Sequence, residues 1–169
     1  MFLCFNAYMI ILGIDPGTAT TGFGVIQKDG KGGWKAVDFG VVTTDKSLTD
    51  AERLHILAQD LSQLLSTHKP AAAGVEKLFF ETNVKTAINV AQARGVILQT
   101  LAAHHVPIYE YTPLQVKSTL TGNGQADKKQ MQFMVKHTFT LDTIPKPDDA
   151  ADALAIALCC ALHHKPHTK

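Results

Sequence analysis

The stretch Ile10-Ile11-Leu12-Gly13-Ile14-Asp15-Pro16-Gly17 decides the reading of this chain. An apolar run long enough for a buried strand ends on a carboxylate, and Pro-Gly turns the backbone at once. A strand that stops this way holds an acid rigidly at a sheet edge. The pattern returns at Gly74-Val75-Glu76, where a short apolar run starting at Ala71 again closes on an acid. Two strand-end carboxylates point to a metal site.

Working outward, Thr21–Ile26 and Trp34–Thr44 are rich in β-formers and are separated by a glycine-rich turn over 28–33. With the first strand they imply an antiparallel meander. Thr49-Asp50-Ala51-Glu52 is a capping box, followed by Leu54, Leu57, Ala58, Leu61, Leu64 and Leu65 at helical spacing up to Pro70. From there strands over 71–76 and 106–111 alternate with a long helix over 84–103, so these strands run parallel beside the first. Thr112-Pro113 caps a short helix through Lys117, a loop spans 121–125, and helices follow over 126–139 and 148–162. The expected fold is α/β and RNase H-like: a five-stranded mixed sheet, three antiparallel strands then two parallel, flanked by helices. In such open sheets ligands gather outside the carboxyl ends of the strands, where Asp15 and Glu76 fall if the first and fourth strands are neighbours.

At 169 residues and 46% hydrophobic, the chain suits one well-buried domain over 1–169. Its net charge of +1 means that an acidic partner must be met by a local patch, because the whole-molecule field is weak. Cys4, Cys159 and Cys160 make no Cys-x-x-Cys spacing, which excludes a disulfide framework and a zinc ribbon and suits a reducing cytoplasm. The histidine doublets His104-His105 and His163-His164 read as solvated or helix-capping. Residues 1–14 are apolar but lack a basic leader and fall short of the roughly 20 residues a membrane span needs. Met9 is a candidate start, which leaves 1–8 as an N-terminal extension.

The last helix adds Asp148, Asp149 and Asp152, with Asp152 sharing a face with either of the others while the intervening alanines allow close packing on the sheet. Two carboxylates about 4 Å apart repel by about 1 kcal/mol in water and about 4 kcal/mol at an effective dielectric of 20. Lys77, next to Glu76, points to the opposite face of a continuing strand, and no other lysine is obviously placed to neutralise the cluster. A divalent cation resolves the repulsion, and an all-oxygen donor set favours magnesium or manganese over zinc. Each acid alone has an ordinary explanation as a turn former, a surface acid or a helix N-terminal charge. Converging through one topology, they suit two-metal phosphodiester hydrolysis leaving a 5′ phosphate.

Four motifs in one order, Gly13-Ile14-Asp15-Pro16-Gly17, Val75-Glu76-Lys77-Leu78-Phe79, Gln92-Ala93-Arg94-Gly95 and Asp149-Ala150-Ala151-Asp152-Ala153-Leu154-Ala155, resemble the RuvC family of bacterial Holliday junction resolvases. The resemblance spans about residues 9–162. It implies that Asp15, Glu76, Asp149 and Asp152 are both the catalytic residues and the metal ligands, holding two Mg2+ ions per active site that Mn2+ can replace, and it leaves Asp148 as an extra acid. It also implies a homodimer that nicks opposite strands of four-way junction DNA symmetrically, in recombination and repair, beside the branch-migration proteins RuvA and RuvB. Lys117 and Lys128 match basic positions of the family, with Lys129 adjacent, and Phe79 lies where the family stacks an aromatic on junction bases.

Simple physical readings stand beside these. Lys117, Lys128, Lys129 and Lys136 face only Asp127 and Glu110 in sequence, and a charge run is often just a solvated face. The glycine loop at 122–129 offers backbone N–H groups to phosphate. Phe79 and Phe80 suit core packing equally well. Ala87, Ala91 and Gly95 at four-residue intervals permit close helix approach, toward the sheet or toward a two-fold partner. Three rivals remain: an ATPase of the actin and sugar-kinase type, a non-catalytic junction binder, and a nuclease for RNA or hybrid duplexes.

Overall fold

The computed structural model of the chain describes residues 9–17, 19–77 and 84–164. Five strands, β1 (Ile10–Asp15), β2 (Thr20–Lys28), β3 (Trp34–Thr43), β4 (Ala72–Glu76) and β5 (Ile108–Tyr111), form one sheet in the order β3-β2-β1-β4-β5. β1 pairs antiparallel with β2 and β2 with β3, whereas β1–β4 and β4–β5 are parallel. This is the expected mixed sheet. β1 sits at its centre because both faces of Ile11, Leu12 and Ile14 are apolar and buried, which an edge strand has no use for.

Alternation along the strands divides the core into two layers. Leu12, Ile14, Val25, Ala73 and Val75 face α1 (Asp50–His68) and α2 (Val84–Ala103), which contribute Leu57, Leu61, Leu65, Ala93, Ile97 and Leu101. Ile11, Ile26 and Ala72 face α5 (Asp148–His163), which lies under α3 (Pro113–Thr121) and α4 (Lys128–Thr138) and is therefore buried along most of its circumference. Arg94, from the Gln-Ala-Arg-Gly motif on α2, ion-pairs with Glu110 on β5.

The capping box at Thr49 and Glu52 forms as expected, with Thr49 N donating to Glu52 Oε2 at 2.8 Å. Several boundaries differ. α3 runs past Lys117 to Thr121, because Val116 and Leu120 continue its buried stripe, and it stops at Gly122 with φ 72. α4 begins at Lys128, two residues later than expected, since Asp127 accepts from Gln130 N and so caps the helix from outside it. β5 starts only at Ile108: Pro107 has no N–H for the ladder, and its carbonyl serves Ala73 N instead. His163 meets the helix-capping expectation, its Nδ1 lying 2.8 Å from the Cys159 carbonyl in the last turn of α5. Cys159 and Cys160 are buried and unbridged. No helix among the described residues is long and apolar enough to cross a membrane.

Candidate active site

Ile11, Gly13 and Asp15 alternate onto the α5 face of β1, as Ala72, Gly74 and Glu76 do on β4. The parallel register that sets Ile14 beside Val75 brings Asp15 and Glu76 side by side at the carboxyl ends of two adjacent strands, which stand about 4.8 Å apart. α5 enters from the same end, with Asp149 and Asp152 in its first two turns. Its approach is close because glycines of the sheet, Gly22, Gly24, Gly13 and Gly74, lie directly beneath its backbone. A Cβ on Gly13 would lie 2.1 Å from the Ala153 carbonyl oxygen, and one on Gly22 would lie 2.1 Å from that of Asp149.

Glu76 and Asp152 line a cleft of about 200 Å³ with Pro113, Lys117, Lys128 and Met131. Two of the four expected DNA-contacting residues, Lys117 and Lys128, thus reach the acids. Lys129 is exposed and does not line the cleft, and Phe79 lies outside the described residues. The expectation that no lysine is placed to neutralise the cluster is corrected: Lys128 draws down the carboxyl pKa values of Asp15 and Asp152, and Lys117 those of Glu76 and Asp152. Tertiary packing of α3 and α4 beside α5 supplies these charges, which lie far from the acids in sequence.

Burial is the main electrostatic fact of the site. It pushes Asp15 up to about 8 from an ordinary 3.8, helped by repulsion from Glu76, Asp152 and Asp149. Glu76 rises to about 7, again chiefly through burial and then through Asp152. Asp152 is also raised by burial, against the pull of Lys128. Asp148 differs: it is exposed, takes the Lys128 ammonium at 2.6 Å and accepts a 2.8 Å hydrogen bond from Gln132 Nε2. Lys128 therefore holds the Asp148 carboxyl below its usual range. Gln132 went unnoticed in the sequence. Its four-residue offset from Lys128 is visible there, but the partner that the two share is not.

These shifts fix a pH dependence. Carboxyls whose folded pKa is raised contribute stability that is fully present below about pH 4 and is lost as pH rises through about 7 and 8. In a chelator the thermal midpoint should fall between pH 5 and pH 8. Divalent cations should restore it at pH 8 and do little at pH 5, because they bind only the deprotonated carboxylates. A chelated protein whose midpoint is flat or rises over this interval would contradict the burial of the acids.

A family model described as crossover junction endodeoxyribonuclease RuvC matches residues 11–160. The chain belongs to the RuvC family. The crossover junction endodeoxyribonuclease RuvC of Roseiflexus sp. (strain RS-1) is 55% identical over 148 residues, which is 88% of each protein. Thermus thermophilus RuvC superposes with a TM-score of 0.84 at 36% identity, covering 90% of this chain and 93% of that one. The same protein in complex with a Holliday junction substrate gives a TM-score of 0.86 at 35% identity, over 91% and 93%. The RNase H-like architecture is thus that of RuvC, and the actin and sugar-kinase reading of the first loop is set aside.

RuvC membership implies use of a divalent metal. The donor set here fits a hard cation: the acids offer oxygen alone, and Asp15 and Glu76 are half-buried and desolvated, so their ionised forms gain from a counter-ion. Among the described residues no three His, Cys, Asp or Glu side chains are gathered tightly enough to form a metal site by themselves.

Proposed function

We propose that this RuvC-family chain resolves Holliday junctions by paired symmetric nicks, with Asp15, Glu76, Asp149 and Asp152 as the metal-binding and catalytic acids. One observation carries the assignment of residues: acids from β1, β4 and α5 are mutually coupled at the carboxyl ends of the central strands, and Lys117 and Lys128 border them. Magnesium, two ions per site and replaceable by manganese, would supply activation of the attacking water and stabilisation of the leaving 3′ oxygen.

The protein's own groups define the rest of the reaction. Strand ends hold Asp15 and Glu76 at fixed spacing, so little reorganisation is needed when a backbone arrives. Buried Val116, Met131, Ala155 and Ile156 form the apolar wall of the cleft beside them. Lys117, Lys128 and, beyond the cleft, Lys129 take phosphates on either side of the cut. Phe79, next to the site in sequence, is assigned to base stacking at the junction centre.

The chain works as one domain and pairs with a second copy. Supporting the dimer, α2 serves the sheet with Ala93, Ile97 and Leu101, while Ile88 is 55% exposed and a Cβ at Gly95 would meet nothing within 4 Å. RuvA and RuvB as partners, and a cytoplasmic setting, follow the family.

A synthetic four-way junction, a linear duplex and an RNA–DNA hybrid, each with magnesium and with chelator, test the reading. Only the junction should be cut, at symmetric positions, and only with metal. Lys128→Ala should weaken junction binding and reduce the slope of log affinity against log salt by about one. Hybrid cut as fast as junction would overturn the substrate, and an unchanged salt slope would remove the phosphate role of Lys128.

A further inference from the structure

We propose that Asp148 is a positioning residue, which holds the Lys128 ammonium at the rim of the cleft. Asp148 is the first residue of α5, where an acid is commonly spent on its own helix N-terminus. Here it is turned outward to α4. Lys128 Nζ lies 2.6 Å from Oδ2, and Gln132 Nε2 donates to Oδ1 at 2.8 Å, so both carboxylate oxygens are engaged by groups one turn apart on the neighbouring helix.

Placement gives this contact its purpose. Asp148 and Asp152 are four residues apart on α5 and share a face, so the anchor stands one turn from an acid of the cleft. Lys128 itself lines that cleft with Asp152 and Glu76. A lysine side chain has wide rotamer freedom, and an unanchored ammonium beside buried carboxylates collapses onto them and competes with a divalent cation. Tethered to Asp148, the ammonium stays at the opening, where an incoming phosphate meets it, and the deeper acids remain available. The tether also offsets the unfavourable position of a lysine at a helix N-terminus.

This inference rests on the reading of Lys128 as a phosphate contact, and single-turnover cleavage of a four-way junction at saturating protein and magnesium separates the two. Asp148→Asn should slow cleavage roughly fivefold without weakening junction binding, because it removes a negative charge from the rim. Asp148→Glu should restore most of the rate. In a Lys128→Ala background, Asp148→Asn should cause no further loss. A wild-type rate for Asp148→Asn beside a slow Lys128→Ala overturns the positioning role alone. So does an Asp148→Asn loss of equal size in both backgrounds, or a wild-type rate for Lys128→Ala; if the salt slope of Lys128→Ala is unchanged as well, the phosphate reading falls with the tether.

Discussion

Asp15→Asn should bind the four-way junction as well as the unaltered chain and cut it slower by on the order of 10³-fold or more. The substitution keeps the shape of the side chain and removes the anionic oxygen that a divalent cation requires. Asp15 is the most strongly raised carboxyl of the cluster, repelled by Glu76, Asp152 and Asp149 together, so it is the group through which charge and metal are most tightly linked. The same change should stabilise the metal-free protein at pH 8, raising its thermal midpoint by roughly 5 °C, since an ionised buried acid is replaced by a neutral amide. At pH 5 the gain should vanish, because Asp15 is already protonated there. Retained cleavage would show that the acid is not part of the chemistry. A midpoint gain equal at both pH values would show that its burial is not what raises it.

Outside the acids, Gly22→Ala should be the small change most damaging to cleavage. The added Cβ would lie 2.1 Å from the Asp149 carbonyl oxygen and 3.1 Å from Asp149 Cβ, with backbone on both sides of the clash. Neither strand nor helix has a flexible side chain to give way, so α5 must lift at its first turn. Overpacking of this kind costs about 1–3 kcal/mol. A displacement of about 1 Å at reacting groups lowers cleavage by roughly 10²-fold. Gly13→Ala, against Ala153 and Ala157 deeper in the same contact, should cost more stability still. Gly30→Ala is the control: its Cβ would meet nothing within 4 Å, and rate and midpoint should both be unchanged. Cleavage at the unaltered rate by a folded Gly22→Ala protein would mean that sheet–helix spacing does not set the position of the acids.

Much of this was legible in the residues. The β1 run ending on Asp15 and the second apolar run ending on Glu76 place strand and carboxylate together, because strand periodicity and turn chemistry are local properties. The capping box at Thr49 and the Pro113 start of α3 were equally plain. Ends governed by partners elsewhere were less so. α3 continued past Lys117 because Leu120 found a buried place, and β5 was shortened by Pro107 at the position where the ladder required an N–H.

Charge relations across the fold were the least legible. Lysines that looked remote from the acids stand in their cleft, and Asp148, unexplained in sequence, meets Lys128 and Gln132 from a different helix. The alanines of α5 announced a close helix, but the glycines that receive it lie on separate strands, and their alignment depends on register.

By itself the sequence determined which elements form, which residues end them and which carboxylates lie at their tips, since these follow from interactions among residues a few positions apart. Only the tertiary structure decided how far each acid is desolvated, which lysines face it and how closely α5 approaches the sheet. Burial and through-space charge depend on what the rest of the chain packs around a group, and no local pattern encodes that.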